Sequence, residues 1–202
     1  MTPREKNQEA TEEKRRSILL AVERVIAEKG ALGVTMKSVA AEAKVSHGLL
    51  HYYFASKEEM MLEMMRYNTE RLISVLWEVF SNITPGQDAP RLITQAYRRM
   101  HRGNPEFFNV FAECWPLLWT STVMQQGFKD LFLFFRKGIE SLIKLLIDRA
   151  VLRPKLGTRE TAIMICALSD GIELQLRIRP QFIDDEDFWE AYECTLGSLF
   201  AI

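Results

Sequence analysis

The sequence contains few of the residues that metal sites, disulfide frameworks and most catalytic centres require. It has three cysteines and three histidines in 202 residues, and Cys114, Cys166 and Cys194 lie far apart in apolar stretches. Structural metal sites use closely spaced Cys or His pairs, so this spacing predicts reduced thiols in the core. The sequence also has no Gly-rich phosphate loop and no nucleophile elbow. An enzyme is therefore disfavoured, and neither a cofactor nor a metal is expected.

Long apolar runs are missing as well. No stretch has membrane-spanning length, and residues 1–16 are charged without the apolar segment of a signal peptide. A cytoplasmic protein without membrane contact is therefore expected. Hydrophobic residues still make up 48% of the chain, which is enough for a sizeable core.

Charge is distributed unevenly along the chain, although the formal net charge is only -1. Residues 1–57 carry ten Lys and Arg against seven Asp and Glu, whereas residues 58–202 carry 16 against 20. A modestly basic head therefore precedes an acidic body. This division permits a polyanionic partner at the head without requiring one.

Apolar residues recur at three- and four-residue spacing over most of the chain, and the alternation typical of strands is absent. The pattern predicts an all-α fold with about nine helices. Gly30 is expected to end the first helix, Thr35 and Ser46 to cap two short helices, and Ser56 with Glu59 to open a long helix as a capping box. The expected ranges are 12–29, two short helices ending near residues 43 and 53, 57–81, one helix after Asp88, 105–118, 121–150, 159–178 and 185–200.

The two short helices are predicted to form a helix-turn-helix, because only Lys44 and Val45 separate them and a longer helix precedes them. The second helix of such a motif lies in the major groove of DNA. Leu50 and Phe54 are four residues apart and should face the core of the head. The two tyrosines that follow His51 should lie on other faces of the second short helix, where they either pack against neighbouring helices or contact DNA.

The segment from Thr35 to Met60 resembles the signature of the TetR/AcrR family of transcriptional regulators. The shared features are the Thr35 cap, Val39-Ala40, Val45-Ser46, Gly48, Leu50, Tyr53, Phe54 and Ser56-Lys57-Glu58-Glu59. Within the family, the run Gly48–Phe54 and the aromatic body are similar to the branch that contains BetI. The resemblance implies a flexible N-terminal arm (1–11), a three-helix helix-turn-helix DNA-binding domain (12–57) and a C-terminal helical ligand-binding and dimerisation domain (58–202).

Two positions depart from the family pattern. Lys44 stands in the turn where the family usually has Gly, so a lysine is expected to adopt a positive φ at a cost of about 1 kcal/mol. His51 stands where the family usually has Tyr, and an imidazole differs from a phenol in reach and in hydrogen-bond donors.

The resemblance implies which residues contact double-stranded DNA. Base edges or nearby sugars are assigned to Lys37, His47, Gly48, Leu49 and His51, and phosphates to Thr35, Ser46, Tyr52, Tyr53 and Lys57. The recognition helix has no Lys or Arg, so operator affinity is expected to rise as pH falls from about 7.5 to 6 and the histidines gain charge. Longer-range attraction is assigned to Lys37, Lys44, Lys57, Arg15 and Arg16.

Aromatic residues recur every four positions in the body, from Phe107 to Trp119. The periodicity fits an ordinary aromatic core and also a ligand pocket lined by large rings and flexible methionine. The resemblance implies a pocket for a small molecule of unknown identity. Its expected lining is Met100, Phe107, Phe111, Trp115, Trp119, Phe128 and Phe132.

The last two helices combine small and apolar residues. They either close the core of one chain or form a four-helix bundle with a second copy, which would place two recognition helices about 34 Å apart. The expected homodimer interface is Ala167, Leu168, Gly171, Ile172, Phe188, Tyr192 and Leu196. The function expected overall is a repressor that binds a palindromic operator as a homodimer and is released by a largely apolar or aromatic ligand. The alternative is a helical small-molecule-binding or interaction module without specific DNA binding.

Overall fold

The computed structural model describes residues 3–103 and 105–201, and nine α-helices run through these residues. Short 3-10 turns lie at Ala31–Gly33, Trp115–Trp119 and Pro180–Asp184. The all-α prediction is confirmed. The helices are α1 (Pro3–Lys29), α2 (Met36–Glu42), α3 (His47–Tyr53), α4 (Lys57–Ser81), α5 (Ala89–Gly103), α6 (Pro105–Cys114), α7 (Thr122–Asp148), α8 (Thr158–Ile178) and α9 (Glu186–Ser198).

Side-chain caps fix the starts of the two short helices where the sequence predicts them. Thr35 Oγ1 accepts the backbone N–H of Ser38, and Ser38 Oγ accepts the N–H of Thr35 in return, both at 3.0 Å. Ser46 Oγ accepts the N–H of Leu49 at 3.1 Å. Because each cap satisfies backbone donors that a helix start leaves free, these seven-residue helices have well-defined beginnings.

Two helix starts differ from the expectation in detail. α1 begins at Pro3, so it includes residues that were assigned to the arm over 1–11, of which Met1 and Thr2 lie outside the described residues. At α4, Ser56 Oγ accepts the N–H of Glu59, but the Glu59 carboxylate accepts the N–H of Ala55 at 2.7 Å. In a standard capping box the carboxylate would accept the N–H of the N-cap residue Ser56, whereas here it accepts the N–H of the preceding residue.

A short antiparallel pairing was not expected. The strands β1 (Arg153–Pro154) and β2 (Phe200–Ala201) pair Arg153 with Ala201 and Pro154 with Phe200. Strands of two residues are too short to produce a recognisable alternation of apolar and polar side chains. This pairing ties the end of the chain to the segment between α7 and α8.

The chain forms two compact units that interleave along the sequence. The first, called here the head unit, is Met1–Asn68 with Asn109–Leu131, and the second, the body unit, is Thr69–Phe108 with Phe132–Ile202. The head unit thus contains α1 to α3, the first part of α4, the end of α6 and the beginning of α7. A division at residues 57 and 58, which follows the chain order, stays a prediction.

Each unit has its own buried core. In the head unit, apolar residues of α1 such as Ile18 and Val22 pack with Leu50, Phe54 and a group of methionines. The body unit has an aliphatic cluster around Leu142 and an aromatic cluster, whose buried members are Tyr97, Phe108, Leu176, Trp189, Tyr192, Leu196 and Phe200. In residues 3–103 and 105–201, no helix is long and apolar enough to cross a membrane.

The cysteines do not all lie in these cores. Cys114 is buried and Cys166 half-buried, and burial raises the pKa of each thiol to about 12, so both are protonated at neutral pH. Cys194 is exposed on α9, contrary to the prediction of a core position. The apolar pattern around Cys194 is that of α9 as a whole, and Cys194 falls on its solvent side.

Candidate nucleic-acid interface

The turn between α2 and α3 sets the angle of the helix-turn-helix. Lys44 has φ +53, as its position in the turn predicts. The N–H of Val45 donates to the carbonyl of Ala40 at 3.0 Å, and the N–H of Lys44 donates to that of Ala41 at 3.2 Å. This pair of hydrogen bonds is a Schellman motif, which requires a left-handed residue after the helix and usually places Gly there. The lysine is therefore held in a glycine-like conformation by the end of α2.

α3 has one buried side and one open side. Leu50 and Phe54 are fully buried, as predicted, and anchor the helix in the core of the head unit. On the other side Tyr52 is 77% exposed, and a Cβ at Gly48 would meet nothing within 4 Å. The exposed residues of this helix are His47, Gly48, His51 and Tyr52, while Leu49 and Tyr53 are half-buried.

Aromatic rings pair along the open side of α3. The His47 and His51 rings lie one helical turn apart with centroids separated by 4.6 Å at an interplanar angle of 71°. The Tyr52 and Tyr53 rings meet edge to face at 5.3 Å. Flat rings that are exposed on a short, well-anchored helix give a firm surface for stacking and for hydrogen bonding with a partner.

The remaining predicted contact residues lie at helix starts. Thr35, Lys37 and Ser46 are exposed at the N-termini of α2 and α3, and Lys57 is half-buried at the start of α4. The hydroxyl oxygens of Thr35 and Ser46 already accept backbone N–H groups as caps. Their main role in the head unit is therefore to orient α2 and α3.

One of the cations expected to attract DNA is neutralised within the chain. The guanidinium of Arg15 on α1 pairs with the carboxylate of Glu63 on α4. Its charge is therefore compensated locally, and its contribution to the attraction of DNA stays a prediction. Arg16 is exposed, with its Cζ 5.8 Å from the centroid of the Tyr67 ring.

The predicted ligand-binding residues are divided between the two units. In the head unit Phe128 is buried, Phe111 and Trp115 are half-buried against the same core, and Trp119 is 78% exposed. Trp115 Nε1 is buried without a hydrogen-bond partner in the described structure. In the body unit, half-buried Met100 and Phe107 contact the aromatic cluster, whereas the side chain of Phe132 is exposed.

The predicted dimer residues divide by burial. Ala167 and Gly171 are exposed on α8, and Leu168, Ile172 and Phe188 are half-buried. Tyr192 and Leu196 are 5% and 1% exposed because they fill the aromatic cluster, so neither is on the surface of a single chain. Helical periodicity gave the stripe on α9 but could not say whether a second copy or the chain's own α5 covers it. Three exposed residues that continue the α8 surface were missed, namely Ile163, Leu174 and Ile178, and exposed Met164 lies beside them.

In the described part of the chain, no group of three or more His, Cys, Asp and Glu side chains is arranged to hold a metal ion.

Comparison with known proteins supports a nucleic-acid interface at α3. Residues 18–64 match the model of the bacterial regulatory proteins of the tetR family, a range that covers α2, α3 and the first part of α4. The HTH-type transcriptional regulator BetI of Rhizobium meliloti (strain 1021) is 24% identical over 167 residues, which span 82% of this chain and 79% of that protein.

Solved structures share the fold. The multidrug binding protein EbrR, complexed with imidazole, aligns with a TM-score of 0.72 and 22% identity over 94% of this chain and 96% of its own. A TetR-family member from Streptomyces coelicolor A3 aligns with a TM-score of 0.74 and 22% identity over 94% and 99%. At this identity the structural likeness shows the fold, while the match over residues 18–64 and the relation to BetI carry the assignment. Residues 18–64 are therefore similar to the helix-turn-helix segment of the tetR family of bacterial regulatory proteins, and the transcriptional regulator BetI is among the curated relatives of the chain.

Proposed function

We propose that the chain is a repressor that binds a palindromic operator as a homodimer and is released by a small, largely apolar or aromatic ligand. The observation that carries the proposal is the two-sided burial of α3. Leu50 and Phe54 are sealed in the core, while His47, His51 and Tyr52 are open to solvent. A helix with this burial in a helix-turn-helix presents its exposed side to the major groove. Operator DNA places such a protein in the cytoplasm.

Contacts of two kinds follow from the placement of side chains. His47 and His51 would meet base edges, because imidazole nitrogens both donate and accept hydrogen bonds. Tyr52 and Lys57 would contact phosphates, which position the protein but do not identify a sequence. The open space at Gly48 lets the helix backbone approach the groove closely.

The proposed homodimer surface is the exposed side of α8. A Cβ at Gly171 would meet nothing within 4 Å in the single chain, so a neighbouring helix could approach closely there. Apolar side chains continue this side for the length of the helix, at Ile163, Met164, Leu174 and Ile178, together with Ala167. Exposed apolar side chains that continue along a helix of this length are typical of an interface. The predicted Tyr192 and Leu196 would support this surface from beneath.

The proposed ligand site uses the core of the head unit. Met60, Met61, Met64, Met65 and Met124 are all at most 2% exposed, and methionine adapts its shape to different neighbours. Trp115 Nε1 and Asn68 Oδ1 are buried without hydrogen-bond partners in the described structure. A largely apolar molecule with one polar group would satisfy such atoms. EbrR, which shares the fold, is described as a multidrug binding protein and was solved with imidazole.

DNA binding is tested by fluorescence anisotropy with a palindromic fragment from the region upstream of the protein's own gene, in competition with random DNA. Tyr52→Ala and His51→Ala should weaken binding, each by about ten-fold, if one good contact is lost. Gln126→Ala, which changes an exposed residue of the head unit on α7, serves as the matched control. Equal affinity for palindromic and random DNA would instead support a module without specific DNA binding.

The histidines give a second test of the same interface. Operator affinity, measured at constant salt, should rise as the pH is lowered from about 7.5 to 6, because an imidazolium is attracted to phosphates. Replacement of both His47 and His51 by Asn should abolish the rise. A flat profile in the unmodified protein, or a rise that persists in the double variant, would remove the histidines from the mechanism.

Self-association is tested by light scattering during size-exclusion chromatography. Gly171→Arg should convert dimers to monomers and weaken operator binding, because a charge and a long side chain are placed where the helices approach. Ser141→Arg makes a similar change at an exposed position of α7 and should leave the dimer intact. A Gly171→Arg protein that remains dimeric would place the interface elsewhere.

A further inference from the structure

Arg15 joins three elements of the head unit. From α1, its Nε and one terminal nitrogen both donate to the carboxylate of Glu63 on α4. Its Cζ also lies 5.3 Å from the centroid of the Phe54 ring. Phe54 is the C-cap of α3, so a single side chain contacts both the end of the recognition helix and the second turn of the helix that follows.

The contact is made in a partly shielded position. The side chains of Arg15 and Glu63 are 34% and 27% exposed. A planar guanidinium matches a carboxylate with two parallel hydrogen bonds, which a lysine cannot do. The hydrogen bonds to Glu63 raise the pKa of Arg15, so its guanidinium stays protonated.

The recognition helix needs such a contact because it is short. α3 has seven residues, and only Leu50 in the helix and Phe54 at its C-cap are fully buried. At Phe54 the backbone is extended, with φ -139, and α4 begins at Lys57. Because little of α3 is buried, a charged contact that holds the Phe54 ring would limit how far this short helix can tilt.

We propose that Arg15 is a positioning residue for DNA recognition, which holds Phe54 against α4 through Glu63 and so fixes the direction of α3 without touching DNA. This inference rests on the proposed function for its effect on operator binding. The clamp itself is a property of the head unit.

Two explanations of an Arg15 effect make opposite predictions for Glu63→Gln. If Arg15 acts by attracting DNA, removal of the nearby negative charge should tighten binding, because the head becomes more basic. If Arg15 positions α3, the same change should weaken binding, because the guanidinium loses its charged partner. The sign of the Glu63→Gln effect therefore separates attraction from positioning.

The binding experiment compares Arg15→Gln, Glu63→Gln, Arg15→Lys and the control Arg16→Gln on the same DNA fragment over a range of salt concentrations. Arg16→Gln removes the same charge from the neighbouring exposed position. Arg15→Gln and Glu63→Gln should each weaken binding about ten-fold, as expected when a coupled contact is broken. Arg15→Lys should lie between these variants and the unmodified protein. The dependence of log affinity on log salt should not change, whereas loss of a phosphate contact would reduce its slope by about one.

A second measurement does not depend on DNA. The N–H of Phe54 donates to the carbonyl of Leu50 at 3.0 Å, so its hydrogen exchange reports the last turn of α3. Exchange at this amide should be about ten-fold faster in Arg15→Gln and Glu63→Gln, while the amides of Ile18 and Val22 keep their protection. Arg16→Gln should exchange like the unmodified protein. If Arg15→Gln does not fold, Glu63→Gln and Arg15→Lys still give the answer.

The outcomes are separable. Faster exchange at Phe54 without specific DNA binding by the unmodified protein would support the clamp and refute the proposed function. Unchanged exchange at Phe54 refutes the clamp, whatever the DNA result. Tighter binding by Glu63→Gln, or a salt slope lowered by about one in Arg15→Gln, would identify Arg15 as an attracting or phosphate-binding residue and overturn the proposal.

Discussion

The cores of the head unit and the body unit are built from different side chains. The head unit buries five methionines, from Met60 to Met124, and also Asn68 Oδ1 and Trp115 Nε1, two atoms without a hydrogen-bond partner among the described residues. The body unit buries aromatic rings around Tyr97, whose hydroxyl donates to Glu173 at 2.6 Å. His101 Nε2 lies 2.7 Å from the same carboxylate oxygen, and its ring stacks on Phe108 at 3.7 Å. Flexible thioethers suit a core that changes shape, whereas stacked rings around a hydrogen-bonded carboxylate suit one that does not.

The largest effect is expected from breaking the carboxylate network of the body unit. Glu173→Ala leaves the Tyr97 hydroxyl with only the Ser169 carbonyl at 3.5 Å and the buried His101 ring without its carboxylate partner, so it should lower the free energy of unfolding by about 3 kcal/mol. Urea denaturation at one protein concentration measures the change, because the stability of the proposed dimer would depend on concentration. Glu186→Ala removes an ion pair with Arg98 whose carboxylate is exposed, so it should have a much smaller effect. Equal effects of the two substitutions would contradict the rigid body core.

Close helix packing in the head unit gives the next largest effect. A Cβ at Gly127 on α7 would lie 2.9 Å from Leu62 Cγ on α4 and closer to its two methyl carbons. Gly127→Ala should therefore lower the free energy of unfolding by about 1 to 3 kcal/mol, since overpacking forces side chains to shift. In Gly127→Ala with Leu62→Ala the clash is absent, so the double substitution should cost less than the sum of the single ones by at least about 0.5 kcal/mol. Strict additivity in a double-mutant cycle would show that the adaptable head core absorbs the methyl group.

The two units also differ in how much of them the sequence predicts. In the head, the Thr35 and Ser46 side chains cap backbone groups three residues later, and Leu50 and Phe54 recur at helical spacing, so local patterns placed α2 and α3 correctly. The Arg15 to Glu63 contact spans 48 positions, and nothing local indicates it. The same limit applies to the body, where periodicity identified a stripe on α9 that includes Tyr192 but could not identify what covers it.

Asp170, a half-buried acidic residue on α8, should make the stability of the body unit depend on pH. Burial, and secondly the charge of Glu173, raise the pKa of Asp170 from 3.8 to about 6. Because the unfolded chain releases this proton more readily, stability falls as pH rises from about 4 to about 6. Asp170→Asn removes the penalty, so the gain in melting temperature should be larger at pH 7.5 than at pH 4.5. Glu190→Gln, at an exposed position of α9, should show no such difference. A gain independent of pH would mean that Asp170 ionises without cost.

The smallest effect is expected in the turn between α2 and α3, where the backbone of Lys44 is strained. Lys44 occupies the left-handed position of the Schellman motif with φ +53, which costs a residue with a Cβ about 1 kcal/mol. Lys44→Gly should remove this strain, but glycine gains more freedom in the unfolded chain, so the net stabilisation should stay below about 1 kcal/mol. Lys44→Ala keeps the Cβ and should leave stability unchanged, which makes it the matched control for loss of the lysine side chain. Operator affinity separates the two consequences of the change. Both variants lose the same charge, so the dependence of log affinity on log salt should be reduced equally in both. A difference in affinity between them would show that the conformation of this turn, rather than its charge, governs how α3 enters the groove.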